Sequence, residues 1–195
     1  MGQPANSPRE HFTYCDYCAW DDGERWELID GEAFCMSPGP NRAHQEVLGE
    51  LFYQVRRQLE GHPCRVYVAP FDIRLPKGNE ADELIDTVVQ PDISVICDSK
   101  KLDDRGCRGA PDWIIEILSP ITARMDQIRK RALYEREGVR EYWLVHPMDR
   151  VLYIYRLEGE GEGYGPPEIL PTEGITPVAC LAGVEIDWDA VFRAD

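Results

Sequence analysis

Apolar and polar positions recur with different periods along this 195-residue chain, and each change of period marks an element. In "HQEVLGELFYQVRRQLEG", residues Val47, Leu48, Leu51, Phe52, Val55 and Leu59 share one face of an amphipathic helix, which Gly61 stops. His44 lies on that face, where it serves equally as a partly buried side chain holding the loop after Pro40 or as a site residue. Upstream, "RWELIDGEAFCMSP" sets apolar stretches on both sides of Asp30-Gly31, a type I′ turn signal, and predicts a hairpin ended by Pro38, Gly39 and Pro40. "TYCDYCAW" opens with Thr13 and, three residues on, Asp16, the capping box of a short helix.

Further along, the runs shorten and become continuously apolar. "RVYVAPFDIRL", "VVQPDISVIC" and "DWIIEIL" predict strands that neighbour one another in a single sheet covered on both faces. Ser119-Pro120 combines an N-cap with proline at the first helical position, so a helix is expected from there to Gly138. "EYWLVHP" and "VLYIYRL", joined through Pro147 and Asp149, predict a closing hairpin. From 158 to 177 the chain is rich in Gly, Pro and Glu and reads mostly as loop. Trp20, Trp26, Trp113, Trp143 and Trp188 are expected in the core or on strands.

Length and composition add bounds. A chain of 195 residues, 43% hydrophobic, fits a single domain. No run of about 18 apolar residues and no basic-then-apolar leader is present, which leads to the expectation of a soluble, cytoplasmic protein with no membrane partner. The net charge of −15 argues against indiscriminate nucleic-acid binding, although the stretch from Arg124 to Arg140 holds six bases and three acids. Seven cysteines, an odd number in a chain large enough not to need staples, are expected to be reduced. A zinc site of His11, Cys15, Cys18 and Cys35 competes with the capping box and lacks a second C-x-x-C.

Three strands carry one unexpected acid each: Asp72 in "APFDIRL", Asp92 in "QPDISV" and Glu116 in "DWIIEILSP". A carboxylate among Ile114, Ile115, Ile117 and Leu118 is costly to bury unless paired, protonated or bound to a cation. If the strands of Asp92 and Glu116 are adjacent, their oxygens converge, and two hard ligands with waters suit Mg²⁺ or Mn²⁺. Asp112 lies four residues before Glu116, about 13 Å along a strand, too far to share an ion, and reads as a strand-opening residue. Asp126, Lys130 and Tyr134 recur at four-residue spacing, so Lys130 could point at the acids from the next helix; by spacing alone a surface Asp126–Lys130 pair is the default.

The set "WELIDGE", "RAHQEVLGEL", "FDIRLP", "VVQPDISVICD", "APDWIIEILSP" and "DQIRKRALYEREGVREYWLVHP" resembles the Uma-two family of restriction-endonuclease-like proteins, within the PD-(D/E)XK nuclease superfamily. The resemblance runs from about Thr13 to Phe192. It implies an α/β fold with a restriction-endonuclease-like mixed β-sheet core flanked by helices over about 40–157, an N-terminal helix and hairpin over 11–38, and an acidic C-terminal tail over 158–195. It implies a divalent-metal-dependent endonuclease acting on nucleic acid, DNA foremost, with Asp92 and Glu116 holding Mg²⁺ or Mn²⁺. The superfamily's lysine position falls on Leu118, so the D/E-x-K triplet is broken and Lys130 becomes the displaced lysine. Asp126, Tyr134, His44 and Asp72 match the pattern in supporting roles, and a homodimer is what the resemblance suggests for a small nuclease that cuts both strands.

Two other function classes stay open. Leu118 and the net charge suit a non-catalytic nucleic-acid- or protein-binding module that keeps the fold. A glycosidase carboxylate pair is the third, weakened by the lack of exposed aromatics beside the acids. Lys100, Lys101, Arg105 and Arg108, interleaved with Asp98, Asp103 and Asp104, read as a solvated loop or as phosphate contacts.

Overall fold

The computed structural model describes residues 11–36, 39–119, 125–159 and 163–193. After helix α1 (Tyr14–Cys18) come the hairpin strands β1 (Trp26–Ile29) and β2 (Glu32–Cys35), then helix α2 (Arg42–Gln58). Strands β3 (Arg65–Val68), β4 (Ile73–Arg74), β5 (Val88–Val89), β6 (Ile93–Ile96), β7 (Leu102–Asp103), β8 (Gly106–Arg108) and β9 (Trp113–Ile117) follow. A π-helical stretch, Met125–Lys130, runs into helix α3 (Arg131–Glu137). The chain ends with β10 (Glu141–His146), β11 (Val151–Arg156), β12 (Glu168–Pro171), β13 (Ile175–Pro177), β14 (Glu185–Asp187) and helix α4 (Trp188–Val191).

The central sheet has the order β12-β11-β10-β9-β6-β3, with β9 and β10 parallel and the other neighbours antiparallel. Along β9 the side chains alternate. Trp113, Ile115 and Ile117 face a core shared with Val47, Leu51 and Val55 of α2, whereas Ile114 and Leu118 face a second core with Leu133 and Tyr134 of α3. Glu116 therefore points to the α3 side. That side is closed by the second sheet, β2-β1-β5-β4-β8-β7, through Ile29, Ile73 and Val89.

Local signals hold well at both hairpins and in α2. Asp30 and Gly31 take φ of 52° and 81°, as a type I′ turn requires, and β10 pairs with β11 from Glu141↔Arg156 to His146↔Val151. Asn41 caps α2 through its side chain, accepting from the His44 N–H at 3.0 Å. Pro38 and Pro120, expected at a hairpin end and a helix start, lie outside the described residues.

Three expectations need correction. The runs read as strands of one sheet are divided between two: β3 and β6 pair centrally, while β4 and β5 pair in the second sheet. Pro70 and Pro91 stand at the divisions, where a residue without an N–H cannot continue a ladder. The run from 158 to 177, read mostly as loop, also carries β12, which extends the central sheet, and β13, and beyond it Val178, Leu181, Val184, Ile186 and Trp188 fill the α2-side core. Finally, Cys64 and Cys97 form a disulfide rather than reduced thiols. They are 33 residues apart in sequence, and it is the β3–β6 register, Arg65↔Ile96, that sets them opposite each other. Among the described residues no helix is long and apolar enough to cross a membrane.

Candidate active site

Strands β6 and β9 meet with Ile93 opposite Ile115, so one step further Asp92 faces Glu116. The two acids are tied through the backbones of both strands. Asp92 N donates to Glu116 Oε2 at 3.2 Å, and Ile117 N donates to Asp92 Oδ2 at 2.8 Å. The sheet thus fixes the relative position of the two carboxylates.

Lys130 reaches the pair from the π-helical stretch. Its Nζ donates to Glu116 Oε1 at 2.9 Å and lies 2.9 Å from Glu27 Oε1 and 3.7 Å from Asp126 Oδ1. Tyr134, one turn on, donates its hydroxyl to Glu116 Oε1 at 3.1 Å, and Tyr142 donates to the Asp126 carbonyl. The Asp126–Lys130 pair is therefore not a surface pair: their exposures are 2% and 1%. The four-residue spacing in the sequence marks a buried stripe.

His44 joins from α2, with Nε2 3.1 Å from Asp92 Oδ2. Its Nδ1 is buried and has no partner among the described residues. Asp92 Oδ1 accepts no hydrogen bond from the described residues, and the Asp92 side chain is 20% exposed, so the cluster opens to solvent on its Asp92 side. Asp72 stands apart from the carboxylate pair. It accepts from Tyr17 Oη at 3.0 Å and from Gln90 Nε2 at 2.9 Å, and Gln90 is what connects it to the cluster.

Charge is dense here. Burial pushes the Glu116 carboxyl well above the usual carboxylate range, with Lys130 opposing and Asp126, Asp92 and Glu27 reinforcing it. All its named contacts are donors, an arrangement suited to the ionised form. Burial works against the Lys130 ammonium, but Glu116, Glu27 and Asp126 outweigh it and hold the pKa well above the ordinary lysine value. His44 follows the same logic: desolvation disfavours the imidazolium, and the hydrogen bond and charge of Asp92 raise its pKa above normal.

Sequence reasoning missed Glu27 and Gln90. Glu27, fully buried on β1, accepts from Gln90 N at 2.7 Å and from Lys130, while its Oε2 has no partner among the described residues. The signal was the one that singled out Glu116, an acid inside an apolar strand, here "WELI". Gln90, two residues before Asp92, also accepts from Arg25 Nη2 at 3.2 Å.

Other candidates have local roles. His11 pairs with Asp86 at 3.2 Å and the Thr13–Asp16 capping box is formed, leaving Cys15, Cys18 and Cys35 as exposed thiols. In the basic loop, Arg108 donates to Asp82 and to the Glu80 carbonyl, and Lys101 donates to the Ala110 carbonyl. Asp112 accepts from Cys97 N at the start of β9.

No group of three or more His, Cys, Asp and Glu among the described residues is arranged to hold a metal ion. What the residues do present is two hard carboxylates, one with an oxygen that accepts no hydrogen bond from the described residues. That fits Mg²⁺, which keeps most of its waters and is commonly held by one or two carboxylates together with substrate phosphate.

Residues 13–189 match a family described as "Putative restriction endonuclease". An uncharacterized protein of Synechocystis sp. is 24% identical over 164 residues, spanning 81% of this chain and 82% of its own length. The crystal structure of "a putative nuclease belonging to DUF820" from Anabaena variabilis superposes with a TM-score of 0.70 at 19% identity, covering 91% of this chain and 94% of that one. This likeness identifies the restriction-endonuclease-like fold.

Proposed function

We infer, for a chain that belongs to the Uma2 family described as "Putative restriction endonuclease", a divalent-metal-dependent endonuclease that hydrolyses phosphodiester bonds of nucleic acid, DNA foremost. The observation that carries this reading is Asp92 meeting Glu116 across β6 and β9, with the Lys130 ammonium buried on Glu116. Charge supports it. Four carboxyl side chains, Glu27, Asp92, Glu116 and Asp126, gather around the Lys130 ammonium and the His44 imidazole, so acids outnumber bases in a mostly buried cluster.

In this reading Asp92 and Glu116 hold Mg²⁺ or Mn²⁺. A divalent ion there supplies Lewis-acid chemistry, lowering the pKa of water and neutralising phosphate charge. Asp92 Oδ1, on the open side, is the oxygen positioned for that role, and the backbone ties keep the acids from spreading apart. Lys130, held as an ammonium, offsets negative charge developing on a phosphoryl oxygen. Tyr134 fixes Glu116 Oε1, and His44 orients Asp92. A homodimer would present one such site to each strand of a duplex.

A second reading, a non-catalytic nucleic-acid- or protein-binding module, is favoured by Leu118 at the superfamily's lysine position and by Lys130, Tyr134 and Asp92 N already occupying Glu116. Thermal unfolding and plasmid cleavage, each with EDTA and with Mn²⁺, separate the two for wild type and the Asp92→Asn/Glu116→Gln double variant. The nuclease reading expects cleavage and a Mn²⁺-induced rise in melting temperature in wild type, both lost in the variant. A site with Kd tenfold below the added Mn²⁺ adds about 1.4 kcal/mol. No rise and no cleavage in wild type would put the binding module first.

A further inference from the structure

Glu27 is the buried acid that the metal-binding pair does not use. It sits on β1, in the second sheet, and touches the site from the side opposite β6 and β9. Its Oε1 is 2.9 Å from Lys130 Nζ, the same distance as Glu116 Oε1, so the ammonium is shared between two carboxylates from different sheets. That oxygen also accepts the N–H of Gln90, two residues before Asp92, so one atom links the N-terminal hairpin, the approach to β6 and the Lys130 helix. A carboxylate whose role was only to seal the hairpin would be expected to have both oxygens satisfied. Glu27 Oε2 is buried without a partner among the described residues, a cost tolerated where a group's charge, and not its fit, is what matters.

We propose that Glu27 is the positioning residue for Lys130, anchoring the ammonium independently of Glu116. This rests on the nuclease reading above. The physical need is specific: a cation bound by Asp92 and Glu116 withdraws part of the Glu116 charge from Lys130 and repels its ammonium. A second carboxylate, outside the ligand pair and at equal distance, keeps Lys130 in place when that happens. The hairpin carrying "WELI" is thereby part of the working site rather than an extension of the core.

The test is a double-mutant cycle on cleavage, with Glu27→Gln, Lys130→Gln and the combined variant, plus Mn²⁺-dependent melting of each. Glu27→Gln is isosteric and lowers kcat by about 10- to 100-fold, as loss of an outer-shell partner does, with KM little changed. In the Lys130→Gln background the same change costs nothing further in kcat, because Glu27 acts through Lys130. Glu27→Asp, which restores the charge, recovers part of the kcat loss. The Mn²⁺-induced rise in melting temperature persists in Glu27→Gln, since both ligands remain. Additive losses in the cycle, or a wild-type kcat in Glu27→Gln, would overturn the proposal while leaving the nuclease reading intact; absence of cleavage in wild type would remove both. Were Glu27→Gln to unfold even with Mn²⁺, its role would be structural and the proposal would also fail.

Discussion

Replacing Lys130 by Met takes one ammonium out of a cluster in which Glu116 and Glu27 are 3% and 0% exposed. Methionine fills a similar volume, so the packing of the helix against the second core changes little and the loss is mainly electrostatic. Removing one partner of a buried ion pair costs about 3–5 kcal/mol, because the remaining charge is left in apolar surroundings. For a chain of this size each kcal/mol moves the melting temperature by about 2–4 °C, so a fall of about 6–20 °C is expected in EDTA.

The deficit depends on pH with a definite sign. Burial already raises the Glu116 carboxyl and Lys130 is the main influence opposing it, so the variant raises it further. A carboxyl with a folded pKa above its unfolded value keeps its full contribution in acid and loses it as pH rises through the folded value. The Lys130→Met deficit is therefore smallest in mildly acidic buffer and grows toward alkaline pH. Mn²⁺ at a hundred times its Kd returns about 2.7 kcal/mol by supplying the missing positive charge. Differential scanning calorimetry across pH, with EDTA and with Mn²⁺, reads all three effects. A variant melting within about 2 °C of wild type in EDTA would refute the reasoning, because the two buried carboxylates would then not need Lys130.

Other outcomes follow from residues outside the cluster. Native alkylation followed by mass spectrometry labels the exposed Cys15, Cys18 and Cys35 and spares Cys107, which is buried with its thiol pushed up to about 12. Labelling of Cys64 or Cys97 without reductant would contradict their disulfide. Trp188→Ala, in the helix that the acidic C-terminal region packs into the α2-side core, costs about 3–5 kcal/mol in chemical denaturation, whereas a peripheral tail would cost nothing measurable. Neutralising Lys100, Lys101, Arg105 and Arg108 together changes the log–log salt slope of DNA binding by less than about one, because Lys101 and Arg108 are committed to internal partners; a drop of about three or more would make the loop a phosphate contact.

What was legible in the sequence was whatever acts over a few residues. The type I′ turn at Asp30-Gly31, the capped α2 and the β10–β11 hairpin all depend on neighbours in the chain. So does the sense that Glu116 needs a partner, since its burial follows from the residues beside it. Partners across the fold were not legible in the same way. The Cys64–Cys97 disulfide and the Glu27–Lys130 contact each need a strand register or a sheet-to-helix approach that no local spacing encodes. The run from 158 to 177 hid its strands for a related reason: Gly, Pro and Glu dominate its composition, but the pairing of Glu168–Pro171 with β11 is set across the fold. Asp126 and Lys130 looked like a surface pair because spacing fixes which residues share a helix face, not which way that face points.

Lys130, which the proposed reading puts in the place of the superfamily's strand lysine, sits where the helix changes type. A lysine two residues after Glu116 on the strand would share its face, but Leu118 sits there, 6% exposed and packed in the second core. The ammonium instead comes from Lys130, at the end of the π-helical stretch where α3 begins. In an α-helix four residues overshoot one turn, and in a π-helix, with its wider i→i+5 ring, they fall short of one. The step from Asp126 to Lys130 is π-helical and the step from Lys130 to Tyr134 is α-helical, so the two deviations offset. Asp126, Lys130 and Tyr134 thereby stay on one buried side of the helix, with Lys130 and Tyr134 on Glu116 and Asp126 beside the Lys130 ammonium. Lys130 and Tyr134, one α-helical step apart, reach the same carboxylate oxygen at 2.9 and 3.1 Å, and the π-helical step before Lys130 keeps Asp126 on the same side, 3.7 Å from the same ammonium.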